Sequence, residues 1–324
     1  MEGKQVVITG GAGFIGSHLA QELAKENEVI ILDDFSSGKA ENISEFSEMP
    51  NVKVVKGTIL NLPLLHQLFD GIDYVFHLAA DPSVVGSIAN PAKTNEVNVT
   101  GTLNVLLVAK DRKVKKVIYA SSSAIYGDAP IPNVEAMILK PTSPYALTKL
   151  TGEYYCQLFS QIYGLPAVSL RYFNVYGPRQ DANSDYAAVI PKFIHRILAN
   201  QAPVIYGDGQ QTRDFIFVED VARATISAAE RDVPGEAINI ACGRSISINE
   251  LADTLIAMLG KSLKPLYTDP QPGDIKYSVA DVSKAENLLG FKPQCSLEEG
   301  LPGTVAYFEK SLRGTKCRSN LKLN

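Results

Sequence analysis

Gly10-Gly11-Ala12-Gly13-Phe14-Ile15-Gly16 follows the short apolar run Gln5–Thr9 and opens the stretch Phe14–Lys25, which carries apolar residues at 14, 15, 19 and 23. That order reads as strand, glycine turn, helix. Glycines at 10, 13 and 16 permit a tight turn, close approach of a diphosphate to the backbone, and packing of the helix on the sheet. The helix N-terminus adds free N–H groups and the positive end of its dipole. The next apolar run, Glu28–Asp33, ends in Asp33, twenty residues after Gly13. A carboxylate there accepts hydrogen bonds from a ribose 2′-hydroxyl and repels a 2′-phosphate. The pattern predicts a dinucleotide site for NAD rather than NADP.

Further apolar runs follow at Val52–Lys56, Tyr74–Ala79, Lys116–Ser121 and Ala167–Phe173. Most are apolar continuously rather than alternately, as strands covered on both faces are. Helical stretches separate them at Leu62–Phe69, Pro91–Asp111 and Tyr145–Tyr163. The alternation predicts an α/β fold with a doubly wound parallel Rossmann sheet. After about residue 175, glycines and prolines punctuate shorter elements. A smaller, mainly C-terminal substrate-binding domain is expected over about 176–215 and 244–312. Glu219–Arg231 and the strand Ala237–Ala241 would return the chain to the first domain, giving that domain residues 1–175 plus about 216–243. Ser247–Leu259 reads as a helix with Ser245 or Ser247 and Glu250 as a capping box. The polar segment 313–324 is expected to fray.

The 324 residues hold 45% apolar side chains and a net charge of −4, from 31 Lys+Arg against 35 Asp+Glu. That suffices for a full core and offers no basic footprint for nucleic acid or an anionic membrane. No apolar run reaches a membrane span's ~20 residues, and no signal peptide opens the chain. The scattered Cys156, Cys242, Cys295 and Cys317 and the four histidines lack metal-ligand spacing. A cytoplasmic protein without disulfides or metal is expected.

Tyr145-Ala146-Leu147-Thr148-Lys149 places a phenol and an ammonium on one helix face. A free phenol, with a pKa of about 10, is a poor base at neutral pH. A neighbouring cation, joined by an oxidised nicotinamide, stabilises the phenolate. YxxxK alone also suits an exposed surface pair. Ser143-Pro144 just before it, and Ser121-Ser122-Ser123 closing a strand at the carboxyl edge of the sheet, favour chemistry. Ser123, Tyr145 and Lys149 form the expected catalytic set, with the Ser123 hydroxyl relaying a proton between substrate and phenolate.

With these motifs the chain resembles the extended short-chain dehydrogenase/reductase family over about residues 4–310. The resemblance implies that NAD meets Gly10, Gly13, Phe14, Ile15, Gly16 and Asp33, the small wall Ala79-Ala80, Asn98, Ser121, Tyr145, Lys149 and Tyr172. Family members carry Gly-Asp-Ile where this chain has Gly57-Thr58-Ile59, so Thr58 and Ile59 stand at the adenine position. Dehydratases of the family carry Asp-Glu after the strand serines, and its decarboxylases a Glu; here Ala124 and Ile125 follow. That pattern resembles the UDP-hexose 4-epimerases. The implied reaction has Tyr145 take the 4′-hydroxyl proton while hydride passes to NAD. The 4-keto sugar then turns over and recovers the hydride on its other face.

By the same resemblance Asn174 and Arg213 meet the diphosphate, while Ser83, Ser122, Ser123 and Val189 line the sugar site. Asp274 meets ribose or uracil, and Gln271 replaces a second phosphate arginine. Tyr206 reads as a uracil-stacking ring or as a core aromatic. Ser278 and Ala188 stand where glucose/galactose epimerases carry Tyr and Asn, which enlarges the space beside the sugar C2 and resembles enzymes acting on UDP-GlcNAc and UDP-GalNAc. Two rival readings remain. A UDP-glucuronate 4-epimerase needs a cation for the C6 carboxylate, and none stands out; a non-catalytic NAD-sensing protein usually lacks the Tyr/Lys pair. A homodimer through a four-helix contact of Pro91–Asp111 and Tyr145–Tyr163 is also implied.

Overall fold

The computed structural model describes residues 1–182, 188–270 and 275–320, with side chains described through residue 312. The first half runs β1 (Gln5–Thr9), α1 (Phe14–Leu23), β2 (Glu28–Asp33), β3 (Val52–Lys56), α2 (Leu62–Leu68), β4 (Tyr74–His77), α3 (Val84–Ala89) and α4 (Pro91–Asn95). It continues through α5 (Gly101–Asp111), β5 (Lys116–Ser122), α6 (Pro144–Tyr163), β6 (Ala167–Tyr172) and β7 (Asn174–Tyr176). The second half holds α7 (Val189–Leu198), β8 (Val204–Tyr206), β9 (Thr212–Arg213), β10 (Phe215–Phe217), α8 (Val218–Glu230) and β11 (Ala237–Ile240). Last come β12 (Ile246–Ser247), α9 (Ile248–Met258), β13 (Leu266–Thr268), α10 (Ser283–Leu289) and α11 (Leu297–Asn320).

Seven strands form one parallel sheet in the order β11-β6-β5-β4-β1-β2-β3. The continuous apolar runs have a direct cause. Val6 and Ile8 of β1 enter the core shared with α1 and α8, whereas Val7 enters the core under α2, α5 and α6. Ile118 and Tyr119 of β5 divide the same way, so the strands need apolar residues at every position. A third core of α7, α9 and α11 centres on Phe193, Leu251, Leu255 and Leu301. Helix α9 starts with the capping box, formed by Ser247 and Glu250.

The structure departs from the sequence reading at several places. The single helix expected over Pro91–Asp111 is α4, a π-turn at Glu96–Thr100, and α5. Helix α3 lies outside the elements expected from the sequence. The chain returns to the first core at α8 and β11, and again at α10, where Ala285, Leu289 and Phe291 join it. Helix α11 continues to Asn320, into the segment expected to fray. Among the described residues, no helix is long and apolar enough to cross a membrane and no cluster of His, Cys, Asp and Glu could hold a metal.

Candidate active site

The glycine turn leaves β1 beneath the end of β4. Gly10 has φ of +72°, and a Cβ there would lie 2.7 Å from the Ala79 nitrogen. A Cβ at Gly16 would run into the Gly10 carbonyl oxygen, so α1 presses on the turn. Gly13 starts α1 with no side-chain cap, and Phe14 and Ile15 of the first turn line the main cavity. Asp33, 6% exposed, accepts hydrogen bonds from the Ala12 N–H (2.9 Å) and the Phe35 N–H (2.8 Å). Burial raises its carboxyl pKa, and the two N–H groups work against the rise. An uncapped helix start above glycines, with a carboxylate one strand away, fits a dinucleotide.

The remaining cofactor candidates divide. Ala79 and Ala80 follow β4 beside the turn, with the Ala79 N–H on Thr9 Oγ1 (3.3 Å). Thr58 turns its hydroxyl to the Leu60 N–H, and Ile59 is buried against Gly101. Asn98, expected at the cofactor, spends its amide inside the protein. Its oxygen accepts from the Asp81 N–H (2.7 Å), and its nitrogen donates to Asp81 O (3.1 Å) and Thr148 Oγ1 (3.0 Å). The π-turn that carries it gives the geometric reason. Given Asp33, the protein should bind NAD at least about tenfold more tightly than NADP, because like charges brought together cost several kcal/mol. Equal affinities in a calorimetric titration would show that Asp33 does not face the ribose.

Helix α6 carries Tyr145, Lys149 and Glu153 four residues apart on one stripe. Its first turn rests on Ser143, which caps the Ala146 N–H, with Pro144 at the position where no N–H is needed. The Lys149 ammonium donates to Ala120 O (2.8 Å), 5.9 Å from the Tyr145 ring centroid and 5.2 Å from that of Tyr119. Burial pushes Lys149 down to about 8. It pushes the Tyr145 phenol up, and a hydrogen bond with the Ser122 side chain pulls it back. Burial therefore disfavours charge on both groups, and the Ser122 hydrogen bond favours the phenolate.

Of the strand serines it is Ser122, rather than the Ser123 expected as the relay, whose hydroxyl reaches the Tyr145 phenol. Ser122 ends β5, lines the cavity and bonds Tyr145; Ser123 begins the 3-10 turn Ser123–Tyr126 and does not line it. Ser121 points to α6 instead, donating to Glu153 Oε1 (2.5 Å). Glu153 in turn pairs with Arg171 through Nη2–Oε2 at 2.9 Å, with the side chains 5% and 4% exposed. Arg171 Nη1 continues to the Tyr126 hydroxyl (2.8 Å), and Tyr126 to Asn239 Oδ1 (2.7 Å). A buried polar chain thus ties β5, α6, β6 and β11 together.

A cavity of about 790 Å³ opens beside Ser121, Ser122, Tyr145 and Tyr172. Asn174, Ala188, Val189, Tyr206 and Arg213 also line it, as expected of the nucleotide-sugar end. Tyr206 is 40% exposed, which excludes the core-aromatic reading. Ala188 starts α7 without a side-chain cap, so that helix start also opens on the cavity. Ser83 caps the Gly86 N–H and does not line the cavity; Ser278 is buried and does not line it either. Gln271 and Asp274 lie outside the described residues. Lys192, His195 and Arg196 of α7 reach the cavity, and the apolar periodicity of that helix concealed them.

The model of the NAD dependent epimerase/dehydratase family matches residues 6–241. The chain belongs to that family. Like the family, it is an NAD-dependent enzyme, an isomerase of the nucleotide-sugar 4-epimerase class. It is 38% identical to a putative UDP-glucose 4-epimerase of Methanocaldococcus jannaschii, over 95% of this chain and 99% of that one. Among solved structures it resembles a UDP-N-acetylglucosamine 4-epimerase from Methanobrevibacter ruminantium M1 in complex with UDP-N-acetylmuramic acid. That match has 46% identity and a TM-score of 0.93, over 96% of this chain and 100% of the other. A UDP-glucuronic acid 4-epimerase from Bacillus cereus, in complex with UDP-glucuronic acid and NAD, matches at 35% identity and TM-score 0.89, over 94% and 99%.

Proposed function

We propose that this family member interconverts UDP-GlcNAc and UDP-GalNAc by inversion at C4, and also accepts UDP-Glc and UDP-Gal. The observation that carries the reading is Ala188, a small residue lining the cavity where a larger side chain would fill space beside the sugar. The similarity to an N-acetylglucosamine enzyme supports it. Ser278, buried away from the cavity, lends no support.

The residues divide the work. Arg213 and the uncapped start of α7 face the diphosphate, where a guanidinium fork and free N–H groups suit phosphate oxygens. The Tyr145 phenolate takes the 4′-hydroxyl proton and holds it until the sugar reclaims it. Ser122 donates to the phenolate, and Lys149 adds positive charge nearby. Gly10, Gly13, Gly16, Phe14, Ile15 and Asp33 hold NAD, which when bound supplies a reversible two-electron acceptor for C4. Ala124 and Ile125 after the serines offer no acid for elimination or decarboxylation.

Incubation with UDP-GlcNAc, UDP-Glc and UDP-GlcA separately, followed by sugar analysis, tests the reading. Ala188→Asn should lower kcat/KM for UDP-GlcNAc by about 10–200-fold and spare UDP-Glc. No turnover of UDP-GlcNAc by the parent would overturn the assignment. Turnover of UDP-GlcA alone would favour a second reading, for which Lys192 and Arg196 supply the cavity cations that the sequence did not reveal.

A homodimer belongs to the same proposal. Leu147, Tyr154, Leu158 and Ile162 stand exposed along α6. The large exposed apolar residues include none from Pro91–Asp111, the other helix expected in the contact, and instead include Val84, Val85 and Ile88 of α3. Exposed apolar side chains on these two helices suit a contact face.

A further inference from the structure

We propose that Ser87 is a positioning residue for Tyr145, acting through the Tyr145 main chain; this rests on the reading of Tyr145 as the base. An α-helix leaves its first N–H groups without helical partners. On α6 each is accounted for. Pro144 has none, Ala146 N–H meets Ser143 Oγ (3.1 Å), and Leu147 N–H meets Ser143 O (3.0 Å). The Tyr145 N–H alone is met from another element: it donates to Ser87 Oγ of α3 at 3.0 Å.

Ser87 is fully buried, and its own hydroxyl donates to Val84 O at 2.6 Å. That bond directs the proton away from Tyr145 and leaves a lone pair facing its N–H. Ser83 caps the Gly86 N–H and so fixes the start of the short helix that carries Ser87. The other side of the same residue is held too. Thr148 Oγ1 donates to Tyr145 O (2.8 Å) and accepts from Asn98 (3.0 Å). Asn98 also clasps both backbone groups of Asp81, two residues before Ser83. One segment, 81–98, therefore grips Tyr145 at its N–H directly and at its carbonyl through Thr148. The phenol's bond to Ser122 on β5 depends on where α6 begins, and α3 sets that start.

The test is Ser87→Ala in the NAD-loaded enzyme, alone and combined with Tyr145→Phe, using the UDP-sugar that the parent turns over. A displacement of the order of 1 Å costs up to about 10²-fold in rate. The single variant should therefore lose roughly 10–100-fold in kcat with KM and NAD content unchanged. Added to Tyr145→Phe, it should cost nothing further, because the two act through one group. Ser87→Cys, which is somewhat bulkier than serine and offers a weaker acceptor, should fall between Ser87→Ala and the parent. An unchanged kcat overturns the proposal, as does an equal further loss in the Tyr145→Phe background or a loss of KM, NAD content and kcat together. Full activity of Tyr145→Phe alone overturns the base assignment instead, whatever Ser87 does.

Discussion

Tyr145→Phe should fold, retain NAD and lose about 10²–10⁴-fold in turnover, the range typical of removing general acid–base help. The ring stays in place, so its contacts with the Lys149 ammonium and the cavity wall survive; only the hydroxyl that bonds Ser122 is lost. On the proposed reading the substrate diphosphate is met by Arg213 and the start of α7, neither of which the substitution touches, so KM should change little. Steady-state rates with bound NAD measured in the same preparation decide the matter. A variant within about threefold of the parent would remove Tyr145 from the chemistry.

Glu153→Ala should lower stability by about 3–5 kcal/mol, the cost of leaving a buried charge without its partner. Arg171 is almost fully enclosed, and three of its contacts go to the two Glu153 oxygens. Burial disfavours the guanidinium charge, and the Glu153 carboxylate more than restores it. Removing the carboxylate also strips Ser121 of its acceptor. Replacing both charged residues, Glu153→Leu with Arg171→Met, should recover most of the loss, since an apolar pair leaves no orphaned charge. Denaturant unfolding of the three proteins measures both effects. If Glu153→Ala is as stable as the parent, water or another group must reach Arg171.

Much of the fold was legible because its signals are local. Strand, glycine turn and helix occur within residues 5–23, and two-sided burial writes itself into β1 and β5 as unbroken apolar runs. What escaped depends on register and on distant partners. Three consecutive serines are equivalent in spacing, and only the end of β5 and the tight turn after it place Ser122, not Ser123, against Tyr145. Arg171 sits within the largely apolar strand AVSLRY, a buried charge whose partner hydropathy cannot name. Glu153 nevertheless continues the four-residue spacing of Tyr145 and Lys149, a signal present in the sequence and not used. Resemblance alone places Asn98 at the cofactor, whereas in the structure its amide bonds Asp81 and Thr148 from the π-turn, partners that a motif match does not carry. Ser278 was given a sugar contact that its burial away from the cavity does not support.

The strand that closes the sheet imposes an order on biosynthesis. Strand β6 is complete at residue 172, but its outer neighbour β11 begins only at residue 237. During the intervening 64 residues, an interval on the order of 3–13 s at ordinary translation rates, a strand destined for the interior carries unpaired N–H and C=O groups along one side. Such an edge invites pairing with another chain. The apolar residues of α10 and Phe291, which finish the same core, are made later still. A released chain ending near residue 175 would present an open β6 edge rather than a self-sufficient domain, and chaperone demand should peak after β6 leaves the ribosome and before β11 follows it.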